Sequence, residues 1–456
     1  MFRSTRVFDR LGTGVPPAGT KVLMGKAVVL GGSMAGLLAA RVLADHAESV
    51  VILERDEFGA VSAARPGVPH GNQVHVLLPG GRVQLDRFYP GFTAQACAEG
   101  ALLNEPEQQR VYQDGFEKPR GGPYRLLSSS RGLLEALVRR RTLELPNVKA
   151  VTCRAHDLVI RDGAATGVWC ADSAGNWLEE ADFVVDAMGR SSRLSEWLER
   201  SGWERPPMRR MKIDVNYATA LFRRVPGVPE IGTSIAWRQP TGDPREVPVA
   251  ATGAIEGNRW IVCVAGFGAY KPGRDPAEFR ALCGELPPCF ADAASGEMLG
   301  VIETYTQTDS RRRDFTAMRR IPARLVAVGD AVASFNPVYG QGMSSAALHA
   351  SALSEYLRSD PDLSAPARRF FAVQKVVVDA AWLMSTSADL ARPDVDGPYP
   401  RGYRVSSWLR GRSVVASSRD EEMAARFSSV TFMRRHPRLL TSPGTLVRAY
   451  RVNHRR

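Results

Sequence analysis

The spacing of hydrophobic positions changes several times along the chain, and each change marks an element. Ala27-Val28-Val29-Leu30 is a continuous apolar run of strand length, followed by Gly31-Gly32-Ser33-Met34-Ala35-Gly36. An apolar, helix-forming stretch runs from Leu37 to Asp45, and Ser49-Val50-Val51-Ile52-Leu53 then ends at Glu54. This reads as strand, glycine turn, helix and second strand, closing within about 30 residues. Leu133, Leu134, Leu137 and Val138 fall on one face of a helix predicted over 128–141, with Ser129 or Ser130 placed to cap it. Strands are predicted at 148–152, 157–161, 166–171 and 181–186. The last runs into Asp186-Ala187-Met188-Gly189-Arg190-Ser191-Ser192-Arg193 and a short helix through Leu198.

From about 211 to 267 the period becomes two. Ile213, Val215, Tyr217, Thr219 and Leu221 alternate, and 247–255 and 259–264 also read as strands. An antiparallel sheet with one face toward a pocket follows. Its aromatic residues Tyr217, Phe222, Trp237 and Trp260 are expected in the core rather than against a substrate. Leu325-Val326-Ala327-Val328 is a second buried strand, continued by Gly329-Asp330 and by a loop that opens a helix near Met343. Helices dominate beyond Asp360, with Phe370, Val373, Val377 and Ala381 on a packing face. Residues 1–23 show no period, and are expected to be a disordered extension arising from an upstream start codon.

Composition narrows the class. The chain has 456 residues, 44% hydrophobic and 24% charged, as in ordinary globular proteins. Its longest apolar candidate, Ala27 to Ala40, is too short to span a membrane. The net charge is +12, from 53 arginines and only 7 lysines. The arginines are scattered apart from short runs at 139–141 and 311–313, which suggests a solvated basic surface, Arg312 included, rather than a nucleic-acid site. Six cysteines without a C-x-x-C pair imply reduced thiols and a cytoplasmic location. Dispersed histidines give no metal site.

The glycine turn has a mechanical reading. Gly31 permits a sharp turn off the strand, Gly36 lets the helix lie close on the sheet, and amides at the helix start face an anion such as a pyrophosphate. Glu54 can accept hydrogen bonds from a ribose diol. Ser33 occupies the position of the second glycine of G-x-G-x-x-G. Arg131, at the start of its helix, is placed to reach a phosphate. Gly340 and Gly342 let backbone approach a flat ligand.

Three motifs in this order resemble the class A flavoprotein monooxygenases, the p-hydroxybenzoate hydroxylase-like group, over about Lys26 to Leu357. Gly31–Gly36 with Glu54 is similar to the family's FAD-ADP site. Asp186–Arg193 is similar to its D-G segment, with Met188 where an Asp is usual. Gly329-Asp330 followed by Pro337, Gly340 and Gly342 resembles its G-D motif and flavin-ring loop. A narrower resemblance, to bacterial flavin epoxidases of polyether biosynthesis, rests on Arg65-Pro66-Gly67-Val68-Pro69, His75 and the run from Phe335 to Met343.

The resemblance implies an α/β fold, with a glutathione-reductase-type, Rossmann-like FAD-binding domain, an inserted antiparallel-sheet substrate domain and a C-terminal helical region. The boundaries expected are 1–24 for the extension; 25–90, 126–200 and 301–357 for FAD binding; 91–125 and 201–300 for substrate; and 358–456 for the helices. The cofactor-binding set is Gly31, Ser33, Met34, Ala35, Gly36, Glu54, Arg55, Arg131, Asp330, Pro337, Gly340, Gly342 and Met343. Amides of Gly342 and Met343 are expected to face the anionic end of the reduced flavin.

The implied reaction is delivery of one oxygen atom from dioxygen, through a flavin hydroperoxide, to a lipophilic natural-product intermediate, with alkene epoxidation favoured. Reduction would come from NAD(P)H or a separate flavin reductase, and no side-chain acid or base is assigned. Gly266-Phe267-Gly268 lacks a helix-opening glycine, so no second dinucleotide domain is expected. Alternatives are hydroxylation of a polycyclic aromatic metabolite, a prenyl reductase on the same fold, or a nucleotide- or nucleic-acid-binding protein without catalysis. A halogenase is disfavoured by the lack of a W-x-W pair.

Overall fold

A computed structural model describes residues 3–57, 65–227, 231–238, 247–395 and 397–454. Helix α1 spans Arg3–Leu11, strand β1 Met24–Leu30, helix α2 Met34–Leu43 and strand β2 Ala47–Glu54. Helix α3 (Arg131–Leu143), β3 (Val148–Thr152) and β4 (Phe183–Asp186) follow. The second half begins with β5 (Met208–Arg223), β6 (Thr233–Trp237), β7 (Val249–Ile255) and β8 (Arg259–Phe267). Helices α4 (Pro276–Gly284) and α5 (Pro288–Ala293) lead to β9 (Met298–Arg313), β10 (Leu325–Ala327) and α6 (Gly342–Leu357). The chain ends in α7 (Arg368–Asp389), α8 (Tyr403–Ser417), α9 (Glu421–Thr431) and α10 (Pro443–Asn453).

Strands β10, β4, β1, β2 and β3 form, in that order, an all-parallel sheet. Val28, Val29 and Leu30 of the central strand are fully buried, as the unbroken apolar run requires of a strand covered on both faces. Helix α2 packs on it, with its first turn at the carboxyl end of β1, where open α/β sheets place their ligands, and α6 packs on α2 and on the Gly329–Ala331 turn that follows β10. Ser130 caps α3, its hydroxyl accepting from the Leu133 amide at 3.1 Å.

The second sheet has eight strands in the order Ala333–Ser334, β9, β5, β8, β7, β6, Gln109–Gln113 and Phe116–Glu117. Its alternation sorts side chains onto two faces. Ala218, Ala220, Phe222, Trp260, Val262 and Val264 point to one side, where Phe279 and Phe290 of α4 and α5 cover them. Val215, Tyr217, Val249, Cys263 and Ala265 point to the other. The boundary expected at residue 300 falls inside β9, which pairs with β5 from Met298 to Arg313.

Two expectations are corrected. The segment before Met24 is packed. Phe8 and Leu11 of α1 are 1% exposed, and Arg10 makes a bidentate pair with Glu355 at 2.7 Å. Gln84 donates to the Thr13 carbonyl, and Arg434 to that of Gly12. A nine-residue helix with one apolar stripe has too few hydrophobic positions to announce itself by period; Met1 and Phe2 lie outside the described residues. The arginine runs are also not simply surface. Arg139, Arg312 and Arg313 are buried, each against a carboxylate or carbonyl that a local sequence window does not contain or does not single out.

Candidate functional site

The turn after β1 is as tight as its glycines suggest. A Cβ at Gly36 would lie 1.8 Å from the Gly31 carbonyl oxygen, and Gly31, at φ +101°, sits against the Ala187 carbonyl at the end of β4. Gly329 presses on Ala35. Both later motifs therefore meet the first turn of α2, where Met34 and Ala35 stand. The Gly329 amide donates to Nδ1 of His349 at 2.9 Å, and burial pushes that imidazole down to about 3, so it stays a neutral acceptor. Asp186 accepts from the Met188 amide at 3.0 Å and the Ser192 hydroxyl at 2.5 Å. Arg313 ties the two motifs together through the carbonyls of Ala331 (2.7 Å) and Ser192 (3.3 Å).

Glu54 lies beside the turn. Its Oε2 accepts from the Gly32 amide at 2.7 Å, and its Oε1 from the amides of Arg55 and Asp56 at 2.8 and 3.1 Å. Oε2 also faces the Arg65 guanidinium, 3.4 Å away. The Arg55 side chain projects into solvent, 4.0 Å from Asp56. The guanidinium that reaches the turn belongs to Arg65, which lies 3.4 Å from Glu54 and bonds Glu135.

Glu135 is the centre of the site's charge network. Ser33 donates to it at 2.7 Å; Arg131 bonds it at 2.7 Å; Arg65 and Arg139 bond its other oxygen. Burial opposes ionisation, but Arg131, Arg65 and the Ser33 hydroxyl together hold the carboxyl down at about 2. Arg131 also donates to the Ser33 oxygen at 2.9 Å. The serine in the glycine position thus spends its proton on Glu135 and carries Arg131 to the mouth of the turn. Sequence reasoning missed Glu135, although Arg131, Glu135 and Arg139 are spaced i, i+4, i+8 on one helical face.

Asp330 follows Gly329, and burial raises its carboxyl above the ordinary value against the pull of Ser334, Arg190 and Arg131. Arg190 donates to Ser334 at 3.2 Å and pairs with Asp309. Pro337 opens a short turn that ends at Gly340, φ +64°, and Gly342 is the first residue of α6. A Cβ at Gly342 would meet no heavy atom within 4 Å, and one at Gly340 only Leu78 at 3.8 Å. The loop thus has room beside it, and the free amides of Gly342 and Met343 open α6.

Beneath this loop, five in-register residues cross five strands of the eight-stranded sheet. Trp237 pairs with Val249, Val249 with Ala265, Ala265 with Tyr217, and Tyr217 with Tyr305. Tyr339 of the loop stacks on Trp237, 5.7 Å between centroids and 11° between planes. His70 contacts Tyr305 at 5.8 Å and His75 at 5.4 Å. Burial, then Arg131, lowers His70 to about 4 and His75 to about 3, so both rings are neutral near pH 7. Phe222, Trp260 and Tyr217 are core, as expected, Tyr217 in the buried cluster on the face turned to the loop, where Trp237 is only partly buried.

The pieces fit FAD. A glycine turn and helix start suit a pyrophosphate, Glu54 and Arg131 flank it, and the open Gly340–Gly342 loop suits a flat ring. Among the described residues no cluster could hold a metal ion.

Such a parallel sheet with an inserted antiparallel one is the fold of the FAD-dependent monooxygenases. The p-nitrophenol 4-monooxygenase PnpA from Pseudomonas putida DLL-E4 matches it with a TM-score of 0.64 and 17% identity, over 92% of this chain and 100% of that one. The fold is the one these FAD-dependent monooxygenases share, and the order of the three motifs is similar to that of the class A group. The chain belongs to the same family as Protein Rv3254 of Mycobacterium tuberculosis (strain ATCC 25618 / H37Rv), to which it is 31% identical over 426 residues, 88% of each chain. It is also 29% identical to the 6-methylpretetramide 4-monooxygenase of Streptomyces rimosus over 171 residues, 36% of this chain and 38% of that one. No model of a known protein family matches the chain.

Proposed function

We propose that the protein is an FAD-dependent monooxygenase that places one oxygen atom of dioxygen on a lipophilic natural-product intermediate, with epoxidation of an alkene as its reaction. The row Trp237–Val249–Ala265–Tyr217–Tyr305 carries this reading. Two small residues lie between aromatic ends, so the row makes a shallow apolar floor beneath the Gly340–Gly342 loop. A flat or extended unsaturated hydrocarbon suits that floor through its half-buried ends, Trp237 and Tyr305, since Tyr217, Val249 and Ala265 are already buried.

Bound FAD, reduced by NAD(P)H or by a separate flavin reductase, supplies the oxygen-activating chemistry. The chain supplies placement. The amides opening α6 favour negative charge beside them, the apolar floor excludes water, and Trp237 and Tyr305 bracket the substrate. Neutral His70 and His75 leave the floor without a fixed charge. No side-chain base is needed to transfer oxygen to an electron-rich alkene.

Hydroxylation of a polycyclic aromatic compound is the second reading, favoured by the likeness to the Streptomyces rimosus enzyme. The test is substrate-dependent oxygen uptake with labelled dioxygen, over polyenes and polycyclic aromatics. One labelled atom in an epoxide supports the first reading; one in a phenol supports the second. Normal reoxidation of the reduced flavin, with label in no product, overturns both.

A further inference from the structure

We infer that the C-terminal helices α8 and α10 form a docking face for an anionic lipid bilayer, by which the protein binds a membrane surface without crossing it. The inference is independent of the flavin reading. It begins with charge, which is not evenly distributed. Residues 401–456 hold 13 arginines against Asp420, Glu421 and Glu422, so this last eighth of the chain carries +10 of its +12. Arg426 and Arg448 pair with Glu422 and Asp420. Arg401, Arg404, Arg412, Arg419 and Arg451 are exposed and make no ion pair among the described residues.

The same helices carry exposed apolar groups. Six of the thirteen exposed large apolar side chains among the described residues lie between Tyr399 and Tyr450. On α8, Val405, Trp408, Arg412 and Val415 follow a 3-4-3 spacing, which makes one exposed stripe beside the buried face of Ser413, Ala416 and Ser417. Trp408 is 60% exposed, with the Arg412 guanidinium 5.3 Å from its ring centroid. On α10, Val447, Tyr450 and Arg451 lie opposite the buried Thr445, Ala449 and Val452. The two helices are neighbours: Ala416 and Ala449 share a small core, and Asn453 donates to the Arg412 carbonyl at 3.0 Å.

Exposed tryptophan and tyrosine among unpaired arginines is the composition of a surface that rests at the headgroup level of a bilayer. The rings enter the interface while the guanidiniums meet lipid phosphates. A second copy of the same face is opposed by the exposed, unpaired arginines that each copy would bring to the contact. No helix among the described residues is long and apolar enough to cross a membrane, which is consistent with adsorption.

The experiment is co-sedimentation of the flavin-loaded protein with vesicles of phosphatidylcholine alone or mixed equally with phosphatidylglycerol, at low and high salt. Anionic vesicles should bind it roughly tenfold or more tighter than neutral ones, and high salt should reduce the binding. Trp408→Ser with Tyr450→Ser, and separately Arg404→Glu with Arg412→Glu, should each weaken anionic binding by roughly tenfold, with flavin absorbance and thermal unfolding unchanged. Val301→Ser, at an exposed site on β9, should change nothing. Equal binding to both vesicle types overturns the proposal. So does anionic binding that survives loss of Trp408 and Tyr450, because that is diffuse charge attraction, and so does a vesicle-free dimer that buries Trp408.

Discussion

Tyr339, in the loop that precedes α6, donates its hydroxyl to Asp389, the last residue of α7, at 2.9 Å. The same carboxylate oxygen accepts from Asn336 at 2.8 Å, and Arg392 lies 3.9 Å away. One fully buried carboxylate in the C-terminal region thus fixes both ends of the turn that leads to Gly340, while Trp237 stacks on the Tyr339 ring.

That contact gives a pH signature. Burial raises the Asp389 carboxyl to about 6, against the pull of Asn336, Tyr339 and Arg392. An unfolded aspartate titrates near 3.9, so between about 4 and 6 the folded chain holds the extra proton. This group's contribution therefore makes the protein less stable as pH rises through that window, by about 2–3 kcal/mol, and flat above it. Asp389→Asn should remove that slope in denaturant titrations at several pH values. Asp389→Ala should leave Asn336 and Tyr339 without their acceptor, costing about 1–3 kcal/mol and loosening the loop.

Glu135 has the opposite sign. Its folded value near 2 lies below the ordinary glutamate range, so its stabilisation is full above about pH 4.3 and is lost as pH falls toward 2. Glu135→Ala should cost about 3–5 kcal/mol, because Arg65, Arg131 and Arg139 would remain buried without their shared counter-charge. Chemical denaturation at pH 7 measures it.

Cofactor retention tests the nucleotide end. Asp330→Ala should weaken FAD retention without unfolding the chain. Glu54→Ala should weaken FAD more than FMN, since only FAD has the adenosine ribose. Equilibrium dialysis with each flavin measures both, and equal losses would remove Glu54 from the ribose site.

Gly342→Val should cut oxygen transfer by about tenfold or more, because the new side chain fills the open space beside the loop that a flat ring would need. Full turnover with a normal flavin spectrum would move the ring elsewhere.

Arg312 now carries a stability prediction. Its guanidinium bonds Asp379 at 2.8 Å and lies over Trp382 at 5.6 Å. Asp379 is half exposed, so solvent screens the pair, and Arg312→Ala should cost about 1–2 kcal/mol, mostly as lost packing. Turnover per folded molecule should not change; thermal unfolding and active-site titration separate the two.

The parallel sheet and the first turn were legible in the sequence because they are local. A continuous apolar run, two glycines and an acidic strand end lie within 28 residues, Ala27 to Glu54, and each has one reading. The Gly329-Asp330 motif and the two-residue period of β5 were legible for the same reason. Which way that period faced was not. Phe222 and Tyr217 are both buried aromatic residues of one strand, and only the packing of α4 and α5 on one side put Phe222 in the cluster under those helices and Tyr217 in the cluster beneath the loop. Nor does any local pattern join Ser33 to Glu135, 102 residues away, or Tyr339 to Asp389, 50 residues away. Such contacts set the charge at the turn and the position of the loop, and they arise when separate elements are brought together, since a buried carboxylate must find its donors wherever the fold places them.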